Sequence, residues 1–289
     1  MWSSWLALGL VIGAALMAVV ARWQVRRALK RQQVAERRAR AAERLAEIGG
    51  LTSGLAHEIK NPLSTIGLNA QLLGEAIDEF PRDAAITDIE RQRLQRRIAT
   101  LRREVERLRG ILQDFLNYAG ELRLDKHPAD INRIIDELCD FFMPQAQAQG
   151  VRLRTDLATG ELIVPLDVPH IKQAILNLMI NAVQAMHNAA SSGGAIAPKE
   201  LIIRTVPTRD PSNRITAVQV HVIDTGPGIP QDVFAKIFTP YFTTKAGGSG
   251  LGLPTTRRLI EAHGGRLEVF TDAGKGTDFV VTLAAEPTA

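Results

Sequence analysis

Cysteine is almost absent: Cys139 stands alone in 289 residues. No disulfide can close within one chain, and any metal site would need other ligand types. Cys139 reads as a small buried hydrophobe in a reducing compartment. Excess charge is also small, with 35 basic and 31 acidic residues leaving +4. That excess gives no reason to expect direct nucleic-acid binding. Two nucleotide signatures are missing, a Walker-type lysine loop and a GxGxxG after a first strand. His127, His170, His187, His221 and His263 show no metal-ligand spacing and read as structural or solvent-facing.

Charge itself is absent from residues 2–21, a run of 20. As a helix this run spans roughly 30 Å, the thickness of a bilayer core. Trp2 and Trp5 mark one end and Trp23 the other, and Arg22, Arg26, Arg27, Lys30 and Arg31 follow. Basic residues beyond the span predict that everything after it is cytoplasmic. The reading is an N-terminal transmembrane helix over 1–23, single-pass in the cell inner membrane. A signal peptide would carry its basic residues ahead of the apolar run. A buried or surface helix is the other alternative. So few residues precede the span that no outer sensing domain is expected.

Pro and Gly are absent from 26–44, which predicts a helical linker over 24–46. Leu45, Ile48, Leu51, Leu55, Ile59, Leu63 and Ile66 then step by three and four, despite Gly49, Gly50 and Gly54. Pro62 is expected to kink this helix. Residues 78–88 read as a loop around Pro81. Leu94, Ile98, Leu101, Val105, Leu108, Leu112 and Phe115 make a heptad seam on a second helix, roughly 87–119. Two such helices bury little alone and make a four-helix bundle with a second copy. Residues 47–122 are therefore expected to form a dimerisation and phosphotransfer domain. A hairpin packed on its own carboxy-terminal domain is the alternative.

Residues 128–285 alternate differently. Helices are expected at 131–149, 171–188 and 255–262, and strands at 151–157, 201–206, 217–224, 266–271 and 277–284. Polar turns fall at 210–213 and a Gly/Ala/Ser-rich loop at 187–199. The pattern is a mixed sheet with helices, an α/β sandwich.

Five clusters carry chemistry. Residues 57–62 read HEIKNP on a helix, an imidazole with an acid beside it and an amide one turn on. Imidazole is a usable nucleophile near neutral pH, so this turn suits phosphoryl transfer through nitrogen. Asn177 and Asn181 lie one turn apart, with Gln173 before and Gln184 after, like the floor of a polar site. DTGPGI at 224–229 sets an acid at a strand end, where its carboxylate can accept from an exocyclic amine. GGSGLGL at 247–253 leads into a helix start that favours phosphate, and GKGT at 274–277 enters a strand. Packing amides and ordinary turns remain the bland alternatives for each cluster alone.

In this order the clusters resemble the sensor histidine kinases, whose ATP-binding fold is shared with gyrase and the heat-shock chaperones. HEIKNPLSTI at 57–66 resembles the phosphoacceptor box and NLMINAVQA at 177–185 the asparagine box. IFTPYFTTK at 237–245 resembles the phenylalanine box. DTGPGI, GSGLGL and AGKGTDF resemble the three glycine boxes. HEIKNP, FTTK and GLGLPTTRRLIEAHGG look most like the nitrogen-regulation branch. The likeness covers about 48–284. Tyr241 departs from it, since phenylalanine is usual there, and the input domain that many members carry is not expected.

The resemblance implies that His57 is phosphorylated by ATP, that Glu58 accepts its proton, and that Asn61 orients water to dephosphorylate a partner. It implies that Asn181 holds Mg²⁺, Asn177 lines the phosphate region and Asp224 binds the adenine amine. Gly226, Gly228, Gly250, Leu251 and Gly252 would shape the pocket, with Lys245 and Thr277 as further contacts. Phe238 and Phe242 would couple the lid to the rest, and a hinge is expected near 120–128. The implied partners are a second copy and a cytoplasmic response regulator with a receiver domain on another chain. A phosphatase of that regulator, a nucleotide-gated scaffold and a gyrase-type ATPase are the rival functions. Asn177 is not the acid that hydrolysis would want as its base.

Overall fold

The computed structural model describes residues 54–77, 87–120, 122–191, 198–245 and 248–285. The expected membrane span and linker lie outside the described residues, as do 47–53, most of the 78–88 loop and 246–247. Among the described residues no helix is long and apolar enough to cross a membrane. Residues 57–289 form one compact unit.

Two long helices begin it. α1 covers 54–77 and runs on through Pro62, which is buried. α2 covers Asp88–Ala119 and starts on a reciprocal cap: Glu90 N–H donates to Thr87 Oγ1 at 3.3 Å, while Thr87 N–H donates to Glu90 Oε2 at 2.9 Å. Such caps satisfy donors that the first helical turn leaves over. Arg97 donates to the Leu72 carbonyl, and Arg107 lies 3.8 Å from Glu58, so α2 runs beside α1. The heptad seam divides into two rows. Leu94, Leu101, Leu108 and Phe115 are half-buried. Ile98, Val105 and Leu112 are about half exposed, at 48, 52 and 47%.

The carboxy-terminal part is a five-stranded sheet covered by helices. Its order is β2 (Arg152–Asp156), β4 (Glu200–Arg209), β5 (Ile215–Asp224), β7 (Gly276–Ala284) and β6 (Arg266–Asp272). β2 and β4 run parallel and all other neighbours antiparallel, so the mixed sheet expected from the pattern is present. β4 reaches past its expected end through Pro207. β2 pairs only with Glu200–Arg204, so Pro207 sits where β4 is an edge and a missing donor is tolerated. A two-stranded ribbon of β1 (His127–Asp130) and β3 (Ile163–Leu166) was not legible in the alternation. Pro128, placed at the hinge by sequence, belongs to it.

Strand alternation decides what reaches the interior. On β5, Val218, Val220, Val222 and Asp224 are buried, while the residues between them are only half-buried. The buried row packs under α3 (Ile131–Ala148), α4 (Val168–Ser191) and α6 (Gly252–Ala262). Ile131, Ile135 and Phe142 of α3 and Ile171, Ile175, Leu178 and Met179 of α4 are essentially inaccessible. α4 begins three residues before its expected start, because Asp167 Oδ1 accepts from His170 N–H at 3.3 Å and Pro169 suits a first turn. It also ends later, at Ser191, inside the predicted loop. Cys139 is buried and its thiol is pushed up to about 12, chiefly by burial, in line with an inert core residue.

Candidate ATP and phosphoacceptor sites

Period two puts Asp224 at the end of the buried row on β5, so its carboxylate is held on the helix-covered side of the sheet. Its direct partner on β7 is Thr277, which is buried on the same face as Phe279, Val281 and Leu283. Gly226 N–H donates to Asp224 Oδ1 at 2.8 Å. Burial raises the Asp224 carboxyl to about 6, against the pull of the Gly226 and Thr277 backbone donors. The DTGPGI motif thus sets a buried acid at the strand end, with the following backbone folded onto it.

The loop after Asp224 is pinned to the β6–β7 turn. Gly274 N–H donates to the Pro227 carbonyl at 2.8 Å, and Ile229 N–H to Thr271 Oγ1 at 2.9 Å. Gly276 has φ +117, and a Cβ there would overlap the Asp224 carbonyl. This glycine of the GKGT cluster decides how closely β7 approaches the acid. Gly250 (φ +65) packs against the Tyr241 and Phe242 backbone, leaving no room for a side chain. Leu251 is fully buried and precedes α6, and Gly252 opens that helix.

α4 supplies the opposite wall. Asn177, Asn181 and Gln184 follow one stripe of the helix, clear of the buried apolar residues. Lys245 reaches this stripe from the phenylalanine-box segment. Its ammonium donates to Asn181 Oδ1 at 2.6 Å and to Gln184 Oε1 at 2.8 Å. Its backbone N–H donates to Thr243 Oγ1 at 3.1 Å, which fixes the turn carrying it. Burial lowers Lys245 to about 8, partly offset by the Asp224 charge. Asn181, Lys245, Asp224, Gly226 and Thr277 therefore meet in one place. Asn181 Oδ1 already takes a cation, and neutral amide oxygens suit Mg²⁺. The residues present thus fit a magnesium nucleotide.

The HEIKNP turn lies on α1. His57 and Asn61 are exposed, while Glu58 is half-buried with its carboxylate directed at Arg107 of α2. Arg107 in turn lies 3.7 Å from Glu104. Among the described residues no hydrogen bond or ion pair joins His57 or Asn61 to the Asp224–Asn181 cluster. Tyr241, whose backbone packs against Gly250, has its phenol raised by burial and by the charge of Glu58. Further contacts, unmarked in sequence, hold α6 and its entry against α2 and the residue that ends it. Ser249 donates to Asp114 Oδ2 at 2.6 Å. Arg258 donates to the carbonyls of Tyr118 and Gly120, and its guanidinium lies over the Tyr118 ring at 5.8 Å. These pairs are more than a hundred residues apart in sequence, so no local pattern announces them.

Residues 47–120 match the His Kinase A (phospho-acceptor) domain, and residues 166–287 match the histidine kinase-, DNA gyrase B- and HSP90-like ATPase. Sensor histidine kinase ZraS of Escherichia coli K12 is 29% identical over 274 residues, covering 93% of this chain and 52% of ZraS. Sensor protein FixL of Bradyrhizobium diazoefficiens is 32% identical over 247 residues, covering 84% of this chain and 44% of FixL. The chain spans about half the length of these relatives. A crystal structure of histidine kinase ThkA in complex with response regulator protein TrrA superposes with a TM-score of 0.64. Its identity is 26%, over 85% of this chain and 64% of that one. With a phosphoacceptor hairpin and a gyrase-type ATP fold in the same order as these relatives, the chain belongs to the sensor histidine kinase family.

Proposed function

We propose that this chain is a sensor protein-histidine kinase that autophosphorylates on His57 and passes the phosphoryl group to an aspartate of a separate response regulator. The observation that carries this is an exposed histidine in HEIKNP sharing one compact unit with the Asp224–Asn181–Lys245 site. Bound Mg-ATP would supply the phosphoryl group and neutralise its charge in transfer.

The chain's own residues divide the rest of the work. Asp224 accepts from the adenine amine, and Gly226, Gly228 and Thr277 close around that edge. Asn181 offers Oδ1 to the metal, with Asn177 one turn earlier beside the phosphates. Gly250, Leu251 and Gly252 shape the phosphate end at the start of α6, and Lys245 supplies a mobile positive charge. Glu58 takes the proton from His57, and Arg107 fixes the direction from which it does so. Asn61, exposed one turn after His57, orients water for removing phosphate from the regulator. Phe238 and Phe242 tie the lid to the body of the domain.

The open row Ile98–Val105–Leu112 supports a homodimer, since a four-helix bundle would cover it. The charge-free run 2–21 and its basic border support a single inner-membrane span with both catalytic parts in the cytoplasm. On this reading the domains are 1–23 anchor, 24–46 linker, 47–122 dimerisation and phosphotransfer, and 128–285 ATP binding. HEIKNP and FTTK favour the nitrogen-regulation branch. Incubation with γ-labelled ATP followed by a receiver-domain protein tests the function. Label should appear on the chain, stable to alkali and lost in acid, then move to an aspartate of the receiver. Nucleotide turnover with no labelled intermediate would favour a simple ATPase.

A further inference from the structure

The Lys245 ammonium lies 2.6 Å from Asn181 Oδ1 and 2.8 Å from Gln184 Oε1. These are charge-assisted distances, and they occupy two amide oxygens of the α4 stripe. A divalent cation would seek the same hard oxygens. Mg²⁺ binds oxygen at about 2.0–2.1 Å and demands near-octahedral surroundings. An ammonium and a dication sharing one amide oxygen would stand within about 4 Å of each other, where like charges repel strongly away from bulk water. The two cations are therefore alternatives at this position.

The lysine is built to change places. Its backbone is anchored, with its N–H on Thr243 Oγ1 and its carbonyl accepting from Gly248 N–H at 3.3 Å. Its four-carbon stem is free to swing from that anchor. Gln184, on the exposed stripe of α4, gives the ammonium a second acceptor that Asn181 alone would not.

We propose that Lys245 is an internal competitor for the metal: it occupies Asn181 and Gln184, and the divalent cation binds there only when the ammonium leaves. This rests on the ATP-site reading above and adds a role for the phenylalanine box in setting metal demand. A phosphate chain arriving with the metal gives the displaced ammonium a new anionic partner. Metal without nucleotide gives it none, so the site discriminates against free divalent cation.

The test is Mn²⁺ binding to the full-length chain, read from the electron paramagnetic resonance signal of free Mn²⁺, without nucleotide. Lys245→Met should bind Mn²⁺ about tenfold more tightly than the wild type, because a charge-assisted bond and a like charge are both removed. Lys245→Gln, a neutral variant of different shape, should move the same way. Lys245→Arg, which keeps the charge, should stay near the wild type. Adding Asn181→Ala to Lys245→Met should abolish the gain. Equal Mn²⁺ affinity in wild type and Lys245→Met, or a gain that survives Asn181→Ala, would overturn the proposal. A fluorescent ADP analogue on the same samples keeps the two readings apart. Failure of the wild type to bind it would count against the ATP site itself.

Discussion

The hairpin and the ATP-binding domain solve the burial problem in opposite ways. In the ATP-binding domain, three helices cover one sheet face, and its large apolar residues are nearly inaccessible. In α2 only Ile111 is buried, and a whole row of the heptad seam stays open. One region is complete as a single chain; the other has an apolar face that calls for a partner. The chemistry follows the same division. Asp224, proposed to face the nucleotide, is buried with a perturbed carboxyl, whereas His57 is exposed on a helix surface. On the proposed function, the acid that holds a small ligand is buried, and the histidine that must meet both nucleotide and regulator is presented.

Asp224→Asn should have the largest effect, and it should separate binding from stability. Loss of the carboxylate should weaken ADP binding at least about a hundredfold by calorimetry, since a buried donor is left poorly matched. Stability should move the other way. The folded carboxyl lies near 6 against an ordinary 3.8, so its favourable contribution is present in acid and is lost as pH rises through about 6. At pH 8 the variant should therefore be more stable, by up to roughly 3 kcal/mol, with the gap closing below pH 4. Nucleotide affinity of the unaltered chain should in turn fall as pH drops through about 6.

Changing the seam should break only the other region. Ile98→Asn with Val105→Asn removes roughly 1.5–3 kcal/mol of burial per side chain in each copy of a dimer. Sedimentation should show monomer at micromolar concentration, while ADP affinity stays within about twofold because neither residue touches the ATP-binding domain. A dimer that survives both changes would show that the open row is not the interface.

Much of this division was readable beforehand, for physical reasons. Period two on β5 delivers Asp224 to the interior, and steps of four and three on α4 align Asn177, Asn181 and Gln184. Both follow from local geometry. The β1–β3 ribbon was missed because its strands have four residues each and carry proline. The contacts from Ser249 and Arg258 to α2 were missed because only tertiary folding brings them together. Arg107 was missed likewise, although it fixes Glu58 more directly than any neighbour in sequence. The early start of α4 was legible in Asp167 and Pro169, had the capping pattern been weighed above the apolar spacing.

Thr87→Ala should have the smallest effect. It removes the reciprocal cap at the start of α2 and should cost about 1 kcal/mol. Hydrogen exchange should quicken in the first turns of α2 and stay unchanged in β5 and β7. Spread of the effect into the sheet would mean that the two regions unfold as one.

The central claim is that His57 receives phosphate from the nucleotide held by Asp224 and Asn181. Mass spectrometry under alkaline conditions, after incubation with Mg-ATP, tests it most directly. The predicted result is a single phosphohistidine at residue 57, absent from His57→Gln with nucleotide binding retained. Phosphate persisting on His57→Gln, or bound nucleotide with no phosphorylated histidine in the unaltered chain, would contradict the account.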